Sequence, residues 1–465
     1  MIHKLGKKFT DIFQKNMPDA FVFALALTII IAFTAYFWMD TTPIKVIASW
    51  YDGFWILLEF GMQMVLLVIT GFSIALSPLV KIAIDRLATL IKTPRQVYFF
   101  VISIGTLLCL VSWGWVVITA VLARELALRI KGINYPFLIA CVYFSQVIWV
   151  NGLSSSIPLL LNTQDNFIIE AGILDSTISS ALTLGSSLNI AMLTIFIILA
   201  PIVMMLLVPK EDKTKELDYM LGTEKELKSS SIKEEAQQLT LPVRAISDRL
   251  NNSSFLQYFI IVPGTIYIVY HFATKGFDLN LNIMIFIFLM LGLALHRTPM
   301  RYVIAMKRAS GNISGILFQY PFYAGIMGIM IYTGLGAQLA ESMASVATLD
   351  SFPFFAYLSG AMVNFAIPSA GGEFAVIGPT IITAIQEIGA GLSPEEVTNL
   401  ISRAALSVAY GESLTNLMQP FYLLLILPVL GTGIKIQARD IMGYFVIPFV
   451  VFFIIQAAVV TWWPL

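Results

Sequence analysis

Charge is what this sequence has least of. Only 12% of its 465 residues are Asp, Glu, Lys or Arg, and 58% are apolar. Soluble domains carry about a quarter charged residues, so an ordinary water-exposed surface is excluded and the lipid bilayer becomes an expected partner. A mean hydropathy of +0.83 points the same way. The 28 basic and 28 acidic residues cancel, which leaves no surplus to hold nucleic acid. Histidine and cysteine are almost missing. The three histidines (His3, His271, His296) fall near segment ends, and Cys109 and Cys141 lie in apolar runs without another ligand at metal spacing. Both cysteines are expected to be buried small hydrophobes. There is no G-x-S-x-G, no P-loop and no His/Cys ligand set, so neither enzyme chemistry nor an organic cofactor is expected.

Long apolar runs are plentiful instead. A bilayer core of about 30 Å takes roughly 20 apolar residues as a helix. Candidate spans lie at about 19–39, 53–76, 135–161, 184–208, 255–273, 280–296, 312–334, 398–428 and 441–463. The basic stretch before the first run imitates a signal peptide. However, residues 21–38 are long for an h-region and lack a small-x-small cleavage site, so they read as a retained span. Two further runs, about 97–128 and 353–389, are too long for one helix and carry polar breaks at 112–115 and 364–373.

Charge placement orients these segments, because cytoplasmic loops are enriched in Lys and Arg. No Lys or Arg occurs between Lys131 and Lys210, or between Arg308 and Arg403, and the loops inside those gaps are acidic. Segment 97–128 has basic flanks, so it is expected to enter from the cytoplasm and return there. Segment 353–389 has acidic or neutral flanks and is expected to enter from outside and return outside. The N-terminus is expected to be cytoplasmic.

The two halves also resemble each other. Thr42-Pro43-Ile44 recurs as Thr298-Pro299-Met300, Thr70-Gly71 as Thr333-Gly334, and the Ser112 break aligns with the Asn364 break. The expected organisation is a first repeat over 1–208, a cytoplasmic linker over 209–254, a connecting helix over 255–279, and a second repeat over 280–465. The fold class expected is an all-α polytopic membrane protein. It would be an inverted-topology repeat with about nine transmembrane helices and two oppositely facing re-entrant hairpins, an architecture of secondary transporters. The linker mixes Lys with Glu and reads as a solvated connector.

Within the second break, Gly371-Gly372-Glu373-Phe374 matches a nucleotide cyclase signature. The longest polar stretch, about 45 residues, is too short for the α/β domain such a site needs, and no second carboxylate or basic residue stands nearby for Mg²⁺ or phosphate. A hairpin tip explains the same letters better. Irregular backbone at membrane depth survives only where protein or a water-filled cavity satisfies it. Asn364, Pro368, Ser369, Gly371 and Gly372 fit such a tip, with the glycines expected to make the turn. The helix that follows offers free N–H groups to a carboxylate, and Ser112, Trp113 and Gly114 offer the same from the other side. One break alone could be a packing notch; two matched breaks favour a substrate site.

Each hairpin is followed by a span with polar residues at its middle. Asn151, Ser154, Ser155 and Ser156 accompany Gly152 and Pro158 in the first, and Glu412 and Asn416 lie in the second. Carbonyls and hydroxyls of unwound helices suit Na⁺, and a carboxyl at depth suits a proton or cation. Glu412 ranks first as a coupling-ion residue, then Glu373, then Glu59. A single serine in a span more often just bonds a neighbouring helix. Arg403 could clamp a substrate carboxylate or snorkel to the outer surface.

Several stretches together resemble one family. They are Met17-Pro-Asp-Ala-Phe21, Asp52-Gly-Phe-Trp55, Tyr135-Pro-Phe-Leu138, Phe318-Gln-Tyr-Pro-Phe322, Asn364-Phe-Ala-Ile-Pro-Ser369, Ala409-Tyr-Gly-Glu412, Met418-Gln-Pro-Phe421 and Arg439-Asp-Ile-Met-Gly-Tyr444. In combination the chain resembles the bacterial short-chain fatty acid transporter (AtoE-type) family along nearly its whole length. The resemblance implies a bacterial inner-membrane carrier for small monocarboxylates such as butyrate or acetoacetate, coupled to Na⁺ or H⁺. It also implies kinship with the ion-transporter superfamily of anion carriers, whose hairpin tips hold anion and cation. The sequence departs from the family pattern at Ser112, Ala370, Glu373 and Phe374, where that pattern has Asn, Gly, His and Trp. Those departures bear on substrate size and coupling ion. The alternative is a carrier of the same fold for a dicarboxylate, an inorganic anion or an amino acid. A homodimer is compatible with either.

Overall fold

The computed structural model describes residues 20–209, 212–221, 232–239, 246–365, 367–419, 423–431 and 433–464. Every regular element among the described residues is helical. Met17, Pro18 and Asp19 of the first family stretch, the expected cytoplasmic N-terminus, Pro420, Phe421 and parts of the 209–254 linker lie outside the described residues. The first half comprises α1 (Ala20–Trp38), α2 (Pro43–Gly53), α3 (Leu58–Ala75), α4 (Pro78–Ala88), α5 (Pro94–Val111), α6 (Val116–Arg129), α7 (Tyr135–Phe144), α8 (Ser156–Leu161) and α9 (Ser187–Leu206). An outlying helix, α10 (Ser254–Lys275), follows the linker. The second half comprises α11 (Leu281–His296), α12 (Pro299–Ala309), α13 (Ser314–Tyr332), α14 (Leu335–Val346), α15 (Phe352–Val363), α16 (Ala370–Ile388), α17 (Pro394–Thr415), α18 (Leu423–Leu430) and α19 (Val446–Trp462).

Many of these helix starts are written in the sequence. α2, α4, α5, α12 and α17 all open on Ser-Pro or Thr-Pro. Proline at the first helical position gives up an N–H that would have had no partner, and its ring fixes φ for the helix. Thr93 with Gln96 and Ser393 with Glu396 form complete capping boxes, which satisfy further free donors. The order of elements α1–α9 recurs as α11–α19. α2 and α12 each have 11 residues, and a 3₁₀ turn follows both α7 (Val147–Asn151) and α17 (Asn416–Met418).

Several expected spans differ in detail. Residues 135–161 are not one helix: Gly152 leaves the helical region (φ −103°, ψ −176°), and Pro158 sits in the first turn of α8, where its missing N–H is harmless. Residues 398–428 are likewise divided, since α17 runs into the 3₁₀ turn at Asn416 and a separate helix starts at Leu423. Short helices α2, α4, α12 and α14 occupy what the apolar runs left as connections. α13 leads into α14 through a bend of 74°. The described residues contain 5 helical segments long and apolar enough to cross a membrane, the interrupted 135–161 among them, or up to 6 counting that bent pair. With an all-helical fold, this makes a multi-pass membrane protein.

Glycine sets the closest helix crossings. α2 and α13 cross at Gly53 and Gly328, where a Cβ on either residue would collide with the backbone of the other. α15 and α17 cross at Gly360 and Gly411; a Cβ there would collide with the carbonyls of Val408 and Tyr357 respectively. Small residues are how membrane helices gain van der Waals contact, because lipid gives them no hydrophobic drive to associate. α17 is the innermost helix, buried without interruption from Leu400 to Thr415. α10 is the opposite case: it buries Gln257, Ile261, Gly264 and His271 and exposes Phe255, Phe259 and Ile266. The linker is not wholly solvated. Its helix Ile232–Gln238 buries Ile232 and Ala236 against Ile304 and Ala305 of α12, and Arg308 bonds Glu235 beside them, with Nε donating at 3.1 Å.

The α15–α17 crossing yields a stability test. Gly411→Ala is expected to destabilise the folded protein by about 1–3 kcal/mol or more, the usual range for overpacking. Gly391→Ala, where an added Cβ meets nothing within 4 Å, is expected to be silent. Thermal unfolding of the two variants in detergent checks the contrast.

Candidate functional site

α15 stops at Val363, and the chain does not become helical again until Ala370. Asn364 holds this break together. Its Nδ2 donates to the Glu412 carbonyl (2.9 Å), to Thr415 Oγ1 (2.8 Å) and to Asn416 Oδ1 (3.1 Å). In return, Gln419 Nε2 donates to the Asn364 carbonyl at 2.6 Å. The break between α15 and α16 is thus tied to the place where α17 loses its helical pattern. Asn416 Nδ2 donates to Glu412 Oε1 at 2.8 Å, bringing the carboxyl into the same knot. Buried amide bonds of this kind contribute about 0.5–1.5 kcal/mol each, and leaving one partner unpaired costs about 1–3 kcal/mol.

The chain re-enters helix through Ser369, whose side chain caps α16 by accepting from Gly372 N. Gly371 and Gly372 are helical, not part of the turn as expected. Residues 364–365 and 367–369 lie in the turn. The glycines make room: a Cβ on Gly371 would come within 2.7 Å of Phe60 and 3.0 Å of the Tyr320 hydroxyl, and one on Gly372 within 2.9 Å of Tyr323. The tip therefore sits directly on aromatic side chains of α3 and α13. Tyr320 adds a 3.1 Å hydrogen bond to Ser369 Oγ. Glu373 lies in the first turn of α16.

The other break has a parallel construction with different residues. Ser112 is extended, and a 3₁₀ turn (Trp113–Trp115) leads into α6. Trp113 N donates to Ser154 Oγ at 2.9 Å, and Leu153 N donates to the Leu110 carbonyl at 2.6 Å. This tip presses on α3, where a Cβ on Gly71 would overlap Ser112 Oγ and one on Gly114 would lie 2.8 Å from Phe72. Ser155 precedes α8 and Ser156 opens it, both buried with hydroxyls that find no partner among the described residues. Asn151 is engaged elsewhere, donating to Asn189 Oδ1 at 2.7 Å, which also accepts from the Tyr410 hydroxyl at 3.0 Å. The two 3₁₀ breaks, after α7 and after α17, are laced together directly. Ser413 Oγ donates to the Val147 carbonyl, and the Tyr143 hydroxyl donates to the carbonyls of Asn416 and Gln419.

Charge in this region comes from acids alone. Glu373 and Glu412 are both fully buried (0% exposed). Neither Glu373 oxygen, nor Glu412 Oε2, nor Asn364 Oδ1 has a partner among the described residues. Glu59 is exposed in the first turn of α3 and only receives a long bond from Gln63 (3.4 Å), so it stands outside this group. Arg403 neither clamps nor snorkels. It is buried and donates to the Val460 and Thr461 carbonyls at the C-terminal end of α19, at 2.8–3.0 Å. Thr415, Gln419, Asn189 and Tyr320 were not among the residues expected from sequence. Thr, Gln and Tyr within apolar runs are unremarkable by type, and their partners lie 38 to 221 positions away in the chain for Asn189 and 49 for Tyr320.

Comparison with known proteins gives a consistent assignment. Residues 1–462 match the family described as short chain fatty acid transporter. The chain is 35% identical over 449 residues to a protein of Haemophilus influenzae provisionally named a short-chain fatty acid transporter, covering 96% of each chain. It is 36% identical over 448 residues to a protein of the same provisional name in Escherichia coli, again covering 96% of each. Its fold is shared with the crystal structure of the Alcanivorax borkumensis YdaH transporter, described as having an unusual topology. That likeness has a TM-score of 0.55 at 14% identity and covers 96% of this chain and 99% of the other.

The geometry separates holding residues from capping ones. Asn364→Ala is expected to weaken apparent substrate affinity by about tenfold, from the loss of roughly 1.4 kcal/mol of tip anchoring. Arg403→Met is expected to lower the unfolding temperature while leaving apparent affinity unchanged in the folded fraction. Uptake kinetics alongside thermal unfolding of both variants distinguishes the two roles.

Proposed function

The chain belongs to the short chain fatty acid transporter family, and from that premise we propose that it is a secondary carrier moving small monocarboxylates, such as butyrate or acetoacetate, across the bacterial inner membrane. Na⁺ or H⁺ supplies the coupling. The observation that carries this reading is the knot at Asn364. There, two interrupted helices exchange hydrogen bonds through Asn364, Glu412, Thr415, Asn416 and Gln419, each no more than 2% exposed. Helix breaks at membrane depth belong where substrate and ion are held.

In this reading α5–α6 and α15–α16 are two re-entrant hairpins of opposite orientation, within repeats 1–208 and 280–465 joined by the linker and α10. About nine helices span the bilayer, and the N-terminus is cytoplasmic. Ser112–Gly114 and 364–372 receive the substrate. Its single carboxylate meets backbone N–H groups and hydroxyls, and its short tail meets Phe60 and Trp113. Glu412, Glu373, Asn416 and the serines 154–156 serve the coupling ion, with Asn151 positioning the break through Asn189. A dicarboxylate carrier would want a second cationic clamp, and the buried arginines among the described residues, Arg124 and Arg403, both donate to helix-end carbonyls.

Proteoliposome uptake of labelled butyrate, with and without an imposed Na⁺ or H⁺ gradient, tests the proposal. Gradient-driven accumulation, competed by acids of two to six carbons more strongly than by succinate, phosphate or amino acids, is expected. No accumulation of any short acid would sink it. Glu412→Gln is expected to abolish gradient-driven uptake in protein that still reaches the membrane.

A further inference from the structure

α3 touches both helix breaks. Phe60 near its start lies against Gly371, and near its end Gly71 and Phe72 seat Ser112 and Gly114. Phe72 also meets Trp113 edge to face, with 6.2 Å between ring centroids. The next residue, Ser73, is buried in the last turn of α3. A carbonyl in the last turn of a helix lacks an N–H donor from its own helix. Here Ser77 N, four residues on, bonds the Ile74 carbonyl at 3.0 Å and leaves the Ser73 carbonyl to another partner. His296 supplies it, with Nε2 donating at 2.8 Å. Because a carbonyl only accepts, this nitrogen carries the proton. The other ring nitrogen, Nδ1, is buried without a partner among the described residues, so Nε2 is the atom that the position requires.

α11 delivers this side chain from the other half of the chain, and its end is held in place. Arg297 closes α11 in the left-handed region (φ 65°), uncommon for a residue other than glycine. Its N–H bonds the Leu293 carbonyl at 3.1 Å, and Gln257 Nε2 of α10 donates to the same carbonyl. α12 then turns back so that Tyr302 packs beside His296, with 6.0 Å between ring centroids. Gly292 makes the room: a Cβ there would stand 2.8 Å from Tyr302 and 2.9 Å from Ser73 Oγ. Near the other end of the pair, Gln63 of α3 donates to Asn282 of α11 at 3.1 Å. α11 is thus pinned to α3 at two well-separated points.

We propose that His296 is a positioning residue for the break at Ser112–Gly114: by holding the Ser73 carbonyl it fixes the last turn of α3, and with it the seat of that break. The helix beneath the seat is already drawn on by its own side chains. Thr70 Oγ1 donates to the Leu66 carbonyl at 2.6 Å, and Ser73 Oγ to the Thr70 carbonyl at 2.7 Å. Back-bonding of this kind weakens and bends a helix, so the last turn takes its position from outside. The seat stands on the geometry alone; that its displacement reaches the substrate rests on the carrier reading.

Three variants of the full-length protein provide the test. His296→Phe keeps a ring without a donor, His296→Gln offers an amide N–H in place of Nε2–H, and Arg403→Met loses a cap on another helix. Hydrogen–deuterium exchange in detergent, read by peptide mass, compares residues 112–116 with residues 364–373. Butyrate uptake into proteoliposomes gives apparent KM and maximal rate. His296→Phe is expected to speed exchange in 112–116 and not in 364–373. It is also expected to raise apparent KM about fivefold, the equivalent of one buried hydrogen bond, with the maximal rate held within about twofold. His296→Gln is expected to restore both, and Arg403→Met to change neither in the folded fraction. Wild-type exchange in 112–116 of folded His296→Phe would overturn the proposal. So would an equal change in both segments, or failure of the glutamine to restore it. Should His296→Phe not fold, His296→Asn, whose amide stops short of the Nε2 position, takes its place with the same expectations. Faster exchange confined to 112–116, with KM unchanged for butyrate, would retain the positioning role and discard Ser112–Gly114 as a substrate contact.

Discussion

Everything in this fold turns on one constraint: a helix that stops inside a bilayer leaves backbone groups with no water to satisfy them. Asn364 is the main answer to it. One side chain reaches a carbonyl, a hydroxyl and an amide on α17, while Gln419 covers its own carbonyl. The result lets two helices be interrupted side by side with both breaks buried. Ser154 and Leu110 do the corresponding work for the break between α5 and α6, with fewer bonds. The helices concerned also cross closely at Gly360 and Gly411, so packing clamps the knot as well.

Membrane character and the positions of the breaks were legible in the sequence because each has a short-range cause. Scarce charge and long apolar runs mark spans, and Ser112 and Asn364 mark interruptions; the Ser-Pro and Thr-Pro pairs that open α2, α4 and α12 fall between the apolar runs, where connections were expected. What stayed hidden was pairing. Nothing near Asn364 announces that its partners are Glu412, Thr415 and Asn416, since a hydrogen bond across about fifty residues leaves no periodicity behind. The glycines of 371–372 were misassigned for a related reason. Glycine in a polar stretch suggests a turn, whereas here it answers to Phe60, Tyr320 and Tyr323 on other helices.

The linker offers a milder version of the same lesson. Its mixed charges describe most of its surface, yet Ile232 and Ala236 are spaced to put two apolar groups on one helix face, and that face docks on α12. Composition averaged this small amphipathic signal away. The consequence is that the connection between the two halves is held against the second of them at a defined point, beside the Arg308–Glu235 pair.

The two buried arginines carry a different implication. Arg124 donates to the Leu430 carbonyl at the end of α18, and Arg403 to carbonyls at the end of α19. Both formal positive charges are therefore absorbed by helix termini of the opposite sign. The two side chains act as fasteners between distant segments of the chain, joining positions 124 and 430 and positions 403 and 460.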